Sequence, residues 1–142
     1  MKPFVKVCES KVLRRGIVVC CGPKPAVRKL FLDPRTFDGF NLSKQFLARQ
    51  WRTVEKAWDE VLEEPGGALG FTKRDGGDVF VVLPKWDSRV FVHEAYHAAQ
   101  AVLRIIGTQD EELGAFLVEW LFEEICWAMH DKTKTGKGDK QT

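Results

Sequence analysis

The chain is 142 residues long, 44% hydrophobic and 30% charged, proportions that predict one ordinary globular domain able to bury its own core. No apolar run approaches the length of about 18 residues that spans a bilayer. The basic start Met1–Ser10 also lacks a following apolar segment, so neither a membrane span nor a secretory signal is expected, and the predicted compartment is the cytoplasm.

The net charge of +2 divides unevenly. Residues 1–35 carry +7 (nine basic against two acidic), residues 36–130 carry −7 (nine against sixteen), and residues 131–142 carry +2 (four against two). An acidic central part is a poor nucleic-acid surface, so nucleic acid is not an expected partner. The basic residues 1–35 are expected to form a solvated face or to touch a protein partner. Cysteines at 8, 20, 21 and 126 lack disulfide-framework spacing and are expected to be reduced, buried thiols, with a cysteine metal site the lesser alternative.

In chain order, residues 4–7, 17–21 and 29–32 are short apolar or β-branched runs separated by Arg14-Arg15-Gly16 and Gly22-Pro23-Lys24-Pro25, and they read as strands of undetermined pairing. From Ser43 to Glu64 the residues Phe46, Leu47, Trp51, Val54, Trp58, Val61 and Leu62 recur at helical steps, and Pro65-Gly66-Gly67 ends that helix. Ala68–Thr72 and Asp78–Leu83 flank Asp75-Gly76, which predicts a β-hairpin stopped by Pro84. Ser88 can cap a helix running to Ile106 and closed by Gly107; Thr108 and Glu111 have capping-box spacing for the next one. Residues 131–142 hold no apolar side chain and predict a disordered Lys-rich tail beyond a single domain at 1–130.

The chemistry-bearing motif is His93-Glu94-Ala95-Tyr96-His97. Residues four apart share a helix face, so both imidazoles can reach one cation, with Glu94 beside them as general base towards a metal-activated water. A catalytic zinc needs a third protein ligand. His130, Glu112, Glu119 and Glu123 are the available candidates, since Glu111 is explained by its cap role. In a straight antiparallel hairpin about Gly107, His97 faces roughly residue 118 or 119, which favours Glu119 and leaves Glu112 roughly 10 Å nearer the turn. Tyr96 reads as packing or as an oxyanion donor, and Asp110 as a first-turn acid or a partner for a ligand histidine. Val79–Leu83 is a core strand or a strand that pairs with extended substrate.

The run Val92-His93-Glu94-Ala95-Tyr96-His97-Ala98, followed through Gly107 by Glu112-Leu113-Gly114-Ala115-Phe116-Leu117, resembles short zincin-like proteins of bacteriophages and prophages. Its Glu-x-x-Ala element is similar to that of ImmA/IrrE-type gluzincin peptidases. That resemblance covers about 35 residues and implies His93, His97 and Glu112 as zinc ligands and Glu94 as base, with Glu119 kept open as the third ligand on the hairpin argument. It implies an α+β, zincin-like domain: a short antiparallel sheet packed on three main helices, the site helix followed by an antiparallel helix. The expected function is a Zn²⁺-dependent metallopeptidase acting on a peptide or protein substrate, in the host cytoplasm if phage-encoded. The alternative is a non-catalytic, zinc-stabilised phage or prophage interaction protein.

Overall fold

The computed structural model describes residues 2–10, 15–62 and 68–138, with side chains described at these positions except 10, 15 and 130–138. Strand β1 (Phe4–Ser10) pairs antiparallel with β2 (Arg15–Cys21), Phe4 opposite Cys21. Strand β3 (Phe71–Asp75) forms the expected hairpin with β4 (Asp78–Leu83) around Gly76-Gly77. β2 and β4 run parallel, Ile17 opposite Val79 and Cys21 opposite Leu83, giving the order β1-β2-β4-β3. The sheet is therefore mixed, which corrects the antiparallel expectation. A parallel pair requires a long crossover, and the helical segment between β2 and β3 supplies it.

Side chains alternate across a strand, and here both faces are apolar. Cys8, Ile17, Val19, Val79, Val81 and Leu83 point into one core; Cys20, Phe71, Phe80 and Val82 point into a second. Helices consequently cover both faces. On the second face lies α1 (Lys24–Phe31), where residues 29–32 were expected to be a strand. Pro25 sits in its first turn, where a missing N–H costs nothing, and Val27 and Phe31, four apart, bury together. A 3₁₀ turn (Pro34–Phe37) leads to α2 (Lys44–Val61), whose cap is the Ser43 hydroxyl accepting from Phe46 N at 3.1 Å. Leu47, Trp51, Val54 and Trp58 form its buried stripe. The predicted stop at Pro65-Gly66-Gly67 and the separator residue Arg14 lie outside the described residues.

The first face carries α3 (Ser88–Ile106) and α4 (Glu111–Gly138). The cap of α3 is Asp87 rather than Ser88: its carboxylate accepts from Arg89 N at 2.9 Å and Val90 N at 3.4 Å. Gly107 closes α3 at φ 80°, where Thr108 N donates to Leu103 O and Gly107 N to Arg104 O, the paired bonds that a left-handed terminal residue permits. α4 starts on Asp110, whose Oδ1 accepts from Glu112 N at 2.9 Å and Leu113 N at 3.3 Å. Thr108 and Glu111 are therefore not the capping pair; an aspartate two residues on competes better for the same N–H groups. The α4 backbone stays helical to Gly138, against the expected loss of structure from 131. Once nucleated, a helix gains one hydrogen bond per residue even through polar sequence. Residues 139–142 lie outside the described residues.

Among the described residues the fold is thus α+β, four helices on a four-stranded mixed sheet. Among the described residues no helix is long and apolar enough to cross a membrane.

Candidate metal centre

α3 is the element that positions the motif. Its inner face, Phe91, Ala95, Ala98, Ala99 and Val102, packs into the first core, and three alanines let the helix lie close to the sheet. With that face fixed, His93 and His97 emerge on the exposed side one turn apart. Their Nε2 atoms are 3.1 Å apart, one ring nitrogen donating to the other. Two nitrogens on a tetrahedral zinc at roughly 2.0–2.1 Å stand about 3.3 Å from each other. The imidazole pair accordingly fits a divalent ion with only a small spreading of the rings and loss of the shared proton.

Glu94 is the single buried charged side chain among the described residues, 7% exposed. It leaves α3 on the sheet side, where Thr72 Oγ1, on β3, donates to Glu94 Oε1 at 2.9 Å and also lies 3.0 Å from Glu94 O. Thr72 is the residue that reading the sequence missed. Its only signal is a place in the β3 alternation, opposite in facing to Phe71.

Two clefts meet at Glu94. One is lined by Leu69, Gly70, Arg89 and His93, the other by Thr72, Arg74, Tyr96, His97 and Arg104. The second is bordered by β3, an edge of the sheet, whereas β4 lies inside it. Val79–Leu83 is therefore core, and the strand free for pairing beside the histidines is Phe71–Asp75. Tyr96 is 55% exposed, so it does not pack in the core, and its ring stands 5.8 Å from that of His97.

The carboxylates of α4 are not gathered with this pair. Gly114, Leu117, Leu121 and Ile125 form the inward side of α4, and Glu112 and Glu119 lie roughly 150–180° round the helix from it, both exposed. Among the described residues no group of three or more His, Cys, Asp or Glu stands ready to hold a metal ion. Glu123 shares that outward side, and the His130 side chain lies outside the described residues. The hairpin register follows the sequence expectation: a Cβ on Gly114 would meet Leu103 Cδ1 at 3.2 Å, and the Phe91 and Phe122 rings lie 5.9 Å apart. His97 is thus level with about residue 117, nearer in height to Glu119 than to Glu112.

Among the described residues no cysteine belongs to a group of three or more metal-ligating side chains. Cys8, Cys20 and Cys21 are buried as expected, while Cys126 is exposed on α4, contrary to the expectation that all four are core thiols. Burial pushes the Cys8 thiol up to about 12, with the Glu124 carboxylate adding to it. Burial also pushes Cys21 up to about 11 and raises Cys20 further. Neutral, inward thiols of this kind are packing groups. The chain matches no protein-family model, no curated protein and no solved structure.

Proposed function

We propose that the chain is a zincin-like, zinc-dependent metallopeptidase-like protein in which His93 and His97 hold Zn²⁺ and Glu94 is the general base. The observation that carries this reading is the convergence of the two Nε2 atoms at 3.1 Å beside a buried, hydrogen-bonded carboxylate. The resemblance assigns the third ligand to Glu112; height along the hairpin favours Glu119. Either has to come round from the outward side of α4. Zinc, when bound, supplies Lewis acidity that acidifies water and polarises a carbonyl.

The chain's own residues supply the rest. Glu94 takes the proton of the attacking water and returns it to the leaving amine, and Thr72 fixes the carboxylate oxygen that does not move the proton. An extended peptide or protein substrate adds its backbone to the β3 edge, which gives affinity without strong sequence preference. Arg74, Arg89 and Arg104 line the two clefts and favour acidic side chains flanking the scissile bond.

A second reading, a zinc-stabilised interaction protein without turnover, is favoured by the outward-facing carboxylates of α4 and by exposed Val92 and Tyr96 on the same helix as the pair. One experiment separates the two. Purified protein is analysed for zinc and assayed on a broad peptide library beside Glu94→Gln. Stoichiometric zinc in both, with turnover only in the parent protein, supports the peptidase. Zinc without turnover supports the second reading. Absence of zinc, with no thermal shift on its addition, removes both.

A further inference from the structure

The two clefts beside the histidines differ in chemistry, and the register of β3 on α3 fixes their order. Gly70, just before β3, lies against α3 at Val90, where an added Cβ would stand 3.0 Å from Val90 Cγ1. Two residues on, Thr72 Oγ1 reaches Glu94 O at 3.0 Å. Two strand residues advance about 6.6 Å and four helix residues about 6 Å, so β3 and α3 run in one direction and keep step. Arg74 accordingly stands level with about residue 98, and Arg104 lies roughly 9 Å further along α3. The cleft of Leu69, Gly70 and Val90 therefore comes before the histidine pair, and that of Arg74 and Arg104 after it.

The first cleft is apolar in character. Leu69 is 72% exposed, and the arginine at its rim, Arg89, is offset by Asp87 at 3.9 Å. The second cleft is cationic. Arg74 Nε donates to Gly76 O at 3.0 Å, a bond that leaves its terminal N–H groups to other acceptors, and Arg104 is exposed. Among the described residues neither arginine has a carboxylate within ion-pair distance. Asp75, the acid of β3, is turned to the other face of the sheet, where its Oδ2 accepts from Thr53 Oγ1 at 3.4 Å.

The backbone between the clefts is equally defined. The β3–β4 turn has two residues, the first being Gly76 at φ 61°. Such a turn closes on a hydrogen-bonded pair, here Asp75 and Asp78, after which bonded and unbonded pairs alternate. Thr72 and Arg74 thus turn their N–H and C=O groups to the open edge of the sheet. A strand added there antiparallel, the pairing with the more stable ladder, enters beside Arg104 and Arg74, passes the histidines and leaves beside Leu69.

We infer that this groove takes an extended peptide in which acidic side chains are followed by apolar ones, the acids against Arg74 and Arg104 and the apolar residues against Leu69 and Val90. The acidic preference is thereby narrowed to one side. Cleavage at the junction rests on the metallopeptidase reading, whereas the docking does not. At about 3.3 Å per residue, the two arginines reach side chains roughly one to four residues before that junction.

The test is an NMR titration of the full chain, with chelator present so that no peptide is cut. The probes are the acetylated and amidated peptides Glu-Glu-Glu-Ala-Leu-Val-Leu, its glutamine-for-glutamate analogue, and the reversed order Leu-Val-Leu-Ala-Glu-Glu-Glu. The first is expected to shift the Thr72 and Arg74 backbone amides. At low salt it should bind about fivefold more tightly than either control, the worth of one or two partly exposed ion pairs, and this margin should shrink as salt is added. Arg74→Gln combined with Arg104→Gln, both exposed positions, is expected to remove the margin over the glutamine analogue. Leu69→Ser is expected to weaken the first peptide about fivefold, the worth of one partly buried leucine. Equal binding of the acidic peptide and either control overturns the proposal. So does an acidic preference that survives the double substitution, a Leu69→Ser protein that binds unchanged, or no binding by any of the three. Charge-selective docking without turnover once zinc is restored supports this proposal and sinks the peptidase.

Discussion

Thr72 Oγ1 stands 2.9 Å from Glu94 Oε1, so a hydroxyl on an edge strand is the described donor to the one buried carboxylate of the site helix. Removing a donor from a buried charged acceptor leaves its desolvation uncompensated, at a cost of about 1–3 kcal/mol. Thr72→Val is isosteric and is expected to lower stability within that range in urea unfolding, with Thr72→Ser recovering most of it. On the peptidase reading, Thr72→Val also lowers kcat/KM, because the Glu94 carboxylate is then no longer held in place by its donor. An unaltered unfolding midpoint would mean that Glu94 is solvated rather than held by Thr72.

The third zinc donor can be weighed by magnitude. A structural four-ligand zinc site gains roughly 10–16 kcal/mol, or about 3 per ligand. Turning α4 until Glu112 or Glu119 faces the histidines withdraws Leu117 and Leu121, both fully buried, from the core, at about 1.5–3 kcal/mol each. The two terms nearly cancel. Glu112→Gln and Glu119→Gln are therefore expected to weaken zinc by about tenfold or less, the larger effect marking the ligand. His93→Ala and His97→Ala are each expected to exceed the roughly 10–100-fold loss that follows removal of an outer partner of a metal ligand. Calorimetric zinc titration measures all four. A loss beyond about 100-fold for either glutamine variant means that α4 is set differently in the zinc form.

The parts of this fold that were legible in the sequence are those fixed by local chemistry. α2 and α3 follow from helical periodicity, the β3–β4 hairpin from its turn residues, and the end of α3 from Gly107, which occupies the left-handed region. The convergence of His93 and His97 follows from four-residue spacing alone. What was not legible depends on long-range packing. Nothing local specifies that Ile17 pairs in parallel with Val79, sixty-two residues on. α1 had a readable signal, Pro25 in the first turn with Val27 and Phe31 four apart, but the unbroken run Leu30-Phe31-Leu32 mimics a buried strand. Thr72 was invisible because its role exists only once β3 lies over α3.

Burial of the cysteines gives the protein an alkaline limit. Each thiol ionises in the unfolded chain near the ordinary value of 9.0, but Cys21 ionises only at about 11 and Cys8 at about 12 when folded. Above pH 9 the unfolded state has therefore released protons that the folded state retains, so stability falls with rising pH until the folded thiols themselves ionise. Urea midpoints are expected to be insensitive to these groups below pH 9 and to fall between about 9 and 12. Cys8→Ala and Cys21→Ala should each flatten the fall. At pH 8 a thiol reagent is expected to label Cys126 alone in the native protein, and all four cysteines after denaturation.

The start of α4 offers a direct comparison of two capping schemes. With Asp110 accepting from Glu112 N and Leu113 N, Asp110→Ala is expected to cost about 1 kcal/mol, and Asp110→Asn almost nothing, because asparagine caps equally well. Among the described residues Thr108 Oγ1 accepts only from Asp110 N, at 3.3 Å. Thr108→Ala should therefore cost less, and Glu111→Gln only the few tenths of a kcal/mol by which an exposed first-turn acid favours the helix dipole. A capping box at Thr108 and Glu111 predicts the opposite ranking, which urea unfolding of the four variants distinguishes. The point bears on the site, because the cap sets where α4 begins and hence its register on α3. Starting the helix at Asp110 brings Gly114 against Leu103, where a Cβ would stand 3.2 Å from Leu103 Cδ1 and that methyl would have to give by a few tenths of an ångström. That close approach holds Leu117 and Leu121 inward and keeps Glu112 and Glu119 on the far side of α4 from the histidines.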